Sequence, residues 1–287
     1  MTQLLLNALI AGSVYALVSV SLALTYKLFK YLNFAHGQSM MIGAYLFYFF
    51  TVQLGWGAIF SIFPTIFLIF LLAYLFLRLF VKPFLNYGSS ITFIASIALA
   101  VLIESIISIF FGSNIKSLIL TNNVINLSNA LITPIQILTI ISTFVILGLL
   151  IYFIYKSSLG RKISALSENS LAAQGLGINS RSINYLVSVI AMAITGYAGI
   201  LVSYDVNMSP TMGSSFLIKA FAIMLISGFG NIWAVVISSY LLAIIENYAV
   251  GLNLISMGYL DAFTFVIILF VLLVRPQGIF YKKERLI

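Results

Sequence analysis

The sequence predicts an all-α fold: a polytopic helical membrane protein with about eight to nine transmembrane spans and a broken or re-entrant hairpin near residues 205–231. Three observations predict it. Hydrophobic residues make up 62% of the 287-residue chain and charged residues only 7%, at a mean hydropathy of +1.17, whereas a soluble domain has about a quarter of its residues charged. The apolar stretches are continuous and close to the ~20 residues a helix needs to cross a bilayer, unlike the ~10-residue alternating segments of a barrel. The basic residues collect in the polar breaks between these stretches, as membrane topology requires.

Counting apolar runs gives spans at 3–26, 36–54, 57–77, 91–112, 133–155, 183–204, 213–229, 231–250 and 258–275, the seventh being short. The whole chain, 1–287, reads as one transmembrane domain. Its longest polar break is 156–182, which holds Lys156, Arg161, Lys162 and Arg181 against Glu168 alone. Setting that break inside fixes the other connections by alternation. Lys27, Lys30, Arg78, Lys82, Arg275, Lys282, Lys283 and Arg285 then also fall inside, Lys116 falls outside, and Lys219 stays within a span. This bias predicts an N-terminus outside and a C-terminus inside. The net charge of +8 is thereby explained by topology, and no nucleic-acid partner is expected. With no cysteine, neither a disulfide framework nor a thiolate metal site can be built. Met1–Ser19 lacks a basic leader and reads as the start of the first span.

The first span carries Gly12, Ser13, Ala16, Ser19 and Ser21, small residues that let helices approach closely, so it belongs inside the bundle. Asn33–Gly37 follows, with the chain's one histidine, His36. At a span end such a residue reads as an interfacial hydrogen-bonding group in a turn that opens a helix. Trp56 reads as an interfacial anchor. Glu104 lies thirteen residues into the span from Ile91, about 20 Å along a helix. An acid at that depth is either a functional group facing a cavity or a protonated carboxyl bonded between helices. The loop 113–132, rich in Asn and Ser, reads either as a contact for a delivery protein or as a plain connector.

Thr195, Gly196, Ala198 and Gly199 mark the sixth span as another close-packing helix. Pro210 and Gly213 then break helicity, and Gly228–Asn231 reads as a tight turn. Non-helical backbone at membrane depth must be buried in protein or line a watery cavity, so this hairpin, with Gly228 and Gly230, is a candidate for the transport pathway. Lys219 and Glu246 come to similar depths on its two arms, roughly 9 Å and 6 Å below their outer ends. Either they pair, or each reaches separately for the interface.

Within 156–182, Ala165, Leu166, Ala172, Ala173 and Leu176 predict a short helix over 164–174 with an apolar face, ended by Gly175 and Gly177. Such a helix either lies in the membrane interface or docks in a groove on a soluble partner. A face built of alanines rather than Trp or Phe favours docking.

The string Gly160-Arg161, Ala165, Ala172-Ala173 and Gly177-Ile178 resembles the coupling segment of the branched-chain amino acid permease family of ABC importers, of the LivH type. Three further motifs carry the same resemblance in order along the chain: Asn33-Phe34-Ala35-His36-Gly37, the run Leu217, Lys219, Ala220 and Phe221, and Arg275-Pro276-Gln277-Gly278. One departure is Leu171, where the family has a glutamate before the paired alanines, with Glu168 one turn earlier the candidate to replace it. The resemblance implies a membrane-spanning permease subunit of the cytoplasmic (inner) membrane that moves branched-chain or related amino acids. It implies Gly160, Arg161, Ala165, Glu168, Ala172, Ala173 and Gly177 as the ATPase-coupling residues. It implies four kinds of contact: a second homologous permease, two cytoplasmic ABC ATPases, an extracytoplasmic solute-binding protein and the lipid bilayer. His36 and Gly37 would shape the transport region, and Glu104, Lys219, Glu246, Gly228 and Gly230 complete the pathway candidates.

The sequence contains no phosphate-binding loop of the Gly-x-x-x-x-Gly-Lys-Ser/Thr type, so ATP hydrolysis is expected from partner subunits. One histidine, six acids and no cysteine offer no catalytic constellation, metal cluster or cofactor fingerprint; no catalytic, metal or cofactor residue is expected. The competing class is a stand-alone channel or secondary transporter for a small polar solute such as urea or an amide. That class needs no folded docking helix and typically shows inverted repeats, of which the sequence carries no clear trace.

Overall fold

The computed structural model describes residues 1–81, 83, 88–118, 124–127, 130–228, 231–275 and 277–280. All nine apolar runs are helices. In chain order they are α1 (Thr2–Phe29), α2 (His36–Tyr48, prolonged by a π-helical turn Phe49–Gln53), α3 (Ala58–Phe76, prolonged by Leu77–Val81) and α4 (Ser89–Phe111). A short hairpin, β1 (Ile125–Leu127) with β2 (Ala130–Ile132), leads into α5 (Pro134–Lys156). Two short helices, α6 (Ser158–Glu168) and α7 (Ser170–Gly175), precede α8 (Ser180–Asp205), α9 (Met212–Ser227), α10 (Ile232–Gly251) and α11 (Leu260–Val274).

Seven helices are long and apolar enough to cross a membrane, among the described residues. The exceptions are α2 and α9. At 16 residues, α9 is about 24 Å long, short of the ~30 Å hydrocarbon layer. The break before it, Val206–Thr211, is held by an antiparallel bridge in which Met208 N–H donates to Lys116 O at 2.7 Å and Lys116 N–H to Met208 O at 2.9 Å. A break is therefore present at the start of the predicted hairpin, at 206–211; Gly213, expected to break helicity, lies instead inside α9, and residues 229–230 of the expected turn lie outside the described residues. Lys82, Pro276, Lys282, Lys283 and Arg285 lie outside the described residues.

Burial sorts the helices into a core and a rim. The most apolar windows of α1 and α8 are 89% and 72% buried, those of α3, α4, α5 and α11 between 11% and 28%. Small residues make that core possible. A Cβ on Gly43 of α2 would sit 2.1 Å from Gly196 O of α8, and one on Gly199 would sit 1.9 Å from Met40 O. The backbones of α2 and α8 thus touch where the sequence offers glycine, and α1 packs Gly12 beneath the ring of Tyr240 on α10 in the same way.

The polar break folds differently from the single 164–174 helix expected. Ser157, Asn169 and Asn179 each cap a helix: Ser157 Oγ accepts from Gly160 N at 2.9 Å, Asn169 Oδ1 from Ala172 N at 3.0 Å and Asn179 Oδ1 from Ser182 N at 3.2 Å. Asn169 takes extended backbone, φ −145° and ψ 99°, because a side chain that can bond the next turn's N–H competes with helix continuation. The result is two helices set at an angle by one residue. Gly177, at φ +83°, closes α7 as expected.

Candidate functional site

Four helices bring ionisable groups together inside the bundle. Lys219 on α9 lies 3.5 Å from Glu246 on α10 and 3.3 Å from Asp261 in the first turn of α11. Its Nζ also donates to the Tyr15 hydroxyl of α1 at 3.2 Å, and that hydroxyl donates to Glu246 Oε2 at 2.7 Å. The other carboxylate oxygen of Glu246 accepts from the Thr264 hydroxyl. Both oxygens of a buried acid are thus satisfied, the condition for holding a charge in a low-dielectric site. The sequence pointed to Lys219 and Glu246. It gave no sign of Tyr15 or Thr264, and Asp261 passed as part of the last span.

His36 is not interfacial. Its side chain is fully buried, with Nε2 at 3.0 Å from Ser21 Oγ and 2.8 Å from Thr195 Oγ1, and those two hydroxyls are 2.6 Å apart. Ser21 lies eight residues before the end of α1, so α2 begins about 12 Å inside the bundle rather than at its edge. The correction has a simple cause: the chain from Lys30 to Ala35 turns back into the bundle before the helix starts. Gly37 follows, and a Cβ there would fall 2.3 Å from Gly213 O at the start of α9.

A third polar chain runs from α2 through α9 to α4. Gln38 Nε2 donates to Ser214 Oγ at 3.2 Å, and Ser214 Oγ to Glu104 Oε1 at 3.2 Å. Glu104 is half-buried and faces this hydroxyl pair rather than the ionic cluster. Gly228 ends α9 at φ +80°, roughly 21 Å beyond Ser214 along the helix, where a Cβ on Gly278 would meet its backbone N at 2.4 Å. It therefore fastens the tail. Gly230 lies outside the described residues.

A cleft of about 310 Å³ opens among α1, α5, α8 and α9, lined by Asn7, Ile10, Ala11, Val14, Tyr15, Gln136, Val202, Asp205, Val206 and Phe216. A second groove of about 220 Å³, apolar but for Ser39, lies among α2, α3, α4 and α8.

At the end of the bundle that carries the basic residues, α6 and α7 fold against α5 and α8. Gly160 allows the fold-back, since a Cβ there would sit 1.9 Å from Ile154 O. Ile163, Leu166 and Ala173 are buried, Ala165 is half-buried, and Arg161, Glu168, Leu171, Ala172, Leu176 and Gly177 are exposed. The expected apolar face is thus divided. Leu166 and Ala173 point inward, while Leu171 and Leu176, each 83% exposed, point outward with Ala172.

Outside the helical bundle the chain thus carries a folded polar loop with two exposed leucines. The sequence profile described as "Branched-chain amino acid transport system / permease component" matches residues 4–272. The chain belongs to this permease family. It is similar to the high-affinity branched-chain amino acid transport system permease protein BraD of Pseudomonas aeruginosa, at 28% identity over 98% of this chain and 96% of that protein. It is 30% identical to the corresponding LivH of Escherichia coli K12, again over 98% and 96% of the two chains. The permease protein LivM of the same organism is 30% identical over 50% of this chain and 32% of its own length. No solved structure gives a significant match. As a member of this family, the chain is a multi-pass membrane transport permease.

Proposed function

We propose that this permease is the membrane subunit of an ATP-binding cassette importer of the cytoplasmic membrane, moving branched-chain or related amino acids inward. Two cytoplasmic ATPases drive it, a second homologous permease completes the pathway, and an extracytoplasmic binding protein delivers the solute. The N-terminus is outside and the C-terminus inside, in keeping with the basic residues of the α1–α2, α5–α8 and post-α11 segments.

The observation that carries this reading is the α6–α7 unit. It is a folded element outside the bundle, fixed from below by Gly160, Ile163, Leu166 and Ala173, with Leu171 and Leu176 left 83% exposed. Two exposed leucines beside Ala172 form a contact for a groove on a soluble partner, and an autonomous carrier has no use for one. Arg161 and Glu168 frame the contact with charge. The relatives named as permeases of a branched-chain amino acid transport system support the substrate class.

The test is the Leu171→Glu/Leu176→Glu double variant, whose sites touch nothing in the core. It is expected to insert and purify as wild type while the ATPase no longer copurifies and leucine uptake is lost. Normal uptake with normal ATPase association would overturn the reading.

A further inference from the structure

We infer that the cleft among α1, α5, α8 and α9 is a binding site for a free aliphatic α-amino acid, with Asp205 taking its ammonium group. The inference rests on the amino-acid transport reading and assigns that reading a place in the molecule. At about 310 Å³ the cleft reaches the lower end of the range for small-molecule sites. The apolar groove among α2, α3, α4 and α8 is smaller, at about 220 Å³, and offers no charged group.

The lining has the chemistry of a zwitterion with a hydrocarbon tail. Ile10, Val14, Val202 and Phe216 form apolar wall. Asp205 supplies the one charge among the lining residues, and its Oδ1 accepts from Gln136 Nε2 at 3.2 Å. Gln136 is itself fixed, since its Oε1 accepts from Thr133 N at 2.9 Å in the cap of α5. Asp205 is exposed at the end of α8 and is held by a neutral group, which leaves its charge open to pair with an ammonium ion. Asn7 accepts from Gln3 Nε2 at 2.9 Å through its Oδ1, which leaves its Nδ2 as the donor for a carboxylate. Asn7 and Asp205 stand near the ends of α1 and α8 opposite α6–α7, while Val14 lies seven residues further along α1, about 10 Å deeper. The polar head therefore sits at the mouth and the aliphatic tail points down. Tyr15 belongs to this lining and also bonds Glu246 and Lys219, so an occupant touches the ionic cluster through one phenol.

The test uses the full chain in lipid nanodiscs with L-leucine as the probe and 4-methylpentanoate, its analogue without the ammonium group, as the comparison. Wild type is expected to bind leucine and not the analogue. Asp205→Asn should weaken leucine roughly tenfold or more, the loss of one charge-assisted bond, and abolish the preference over the analogue. Ala11→Phe, which fills the cleft, should weaken leucine binding at an unchanged melting temperature of the ligand-free protein. If leucine binds and neither variant alters it, the cleft is not the site, although the transport reading stands. If wild type binds no leucine while cells still take it up through this chain, the cleft again fails. Absence of both binding and uptake removes the inference and the transport reading together.

Discussion

Lys219 and Glu246 face each other at 3.5 Å across α9 and α10, with side chains 11% and 1% exposed. The pair is asymmetric. Glu246 also accepts from Tyr15 and Thr264, whereas Lys219 has a second acid, Asp261, at 3.3 Å. Removing Lys219 leaves two carboxylates without a cation; removing Glu246 leaves Lys219 with Asp261. Lys219→Met is therefore expected to destabilise the protein by about 3–5 kcal/mol, the usual result of stranding a buried charge, and Glu246→Met by less. The double variant should recover part of the sum. Thermal unfolding of the four proteins in detergent checks this, and strictly additive losses would mean that the contact carries no coupling.

Glu104 is predicted to act through its hydrogen bond to Ser214 at 3.2 Å. An amide keeps an acceptor at the same reach, so Glu104→Gln should retain transport and expression. Glu104→Leu strands the hydroxyl of Ser214 next to Gln38, whose Oε1 is already buried without a partner, and should lose about 1–3 kcal/mol. A Gln variant that expresses normally and fails to transport would show that the charge itself is needed.

The spans are legible because bilayer thickness imposes a length that no soluble helix needs, and depth along the two arms of one hairpin allows Lys219 to meet Glu246 without choosing between a pair and two separate interfacial side chains; the 3.5 Å contact decides it. What lay beyond the sequence depends on how distant segments meet. Tyr15 and Thr264 read as ordinary span residues until α1 and α11 close on Glu246. His36 reads as an edge residue because a helix start ordinarily marks a membrane boundary, whereas the chain enters the bundle before α2 begins. A single helix through Asn169 is what the sequence suggests, because the alanines keep helical spacing on both sides of it. Asn169, a residue type that caps helices, is the local signal of the break, and its side chain accepts from Ala172 N at 3.0 Å. The cleft at Asp205 combines side chains of four helices and has no trace in any one stretch.

The division of the α6–α7 face yields a paired prediction. Ala173 is 3% exposed and packs with the buried core, so Ala173→Trp overfills the unit and should cost about 1–3 kcal/mol of local stability. Ala172 is exposed, and Ala172→Trp changes only the outward surface. Both should weaken ATPase association, but only the first should raise hydrogen exchange across residues 158–175. Equal exchange in the two variants would mean that Ala173 is not part of the packing beneath the loop.

The first turns of α2 and α9 touch through Gly37 and Gly213. A Cβ on Gly37 would lie 2.3 Å from Gly213 O and 2.7 Å from Leu217 Cβ; one on Gly213 would lie 2.6 Å from Gln38 Oε1 and 2.8 Å from Gly37 O. The two clashes differ in kind. Gly37→Ala drives a methyl into backbone, which must move, and with it the helix that carries Lys219. Gly213→Ala meets a side-chain oxygen first and the Gly37 carbonyl close behind it. Both substitutions should destabilise by about 1–3 kcal/mol, Gly37→Ala by more, and Gly37→Ala should also reduce the coupling measured between Lys219 and Glu246, because α9 is the element displaced. Running the double-mutant cycle in the Gly37→Ala background checks this; an unchanged coupling energy would show that the contact between α2 and α9 does not set the position of Lys219.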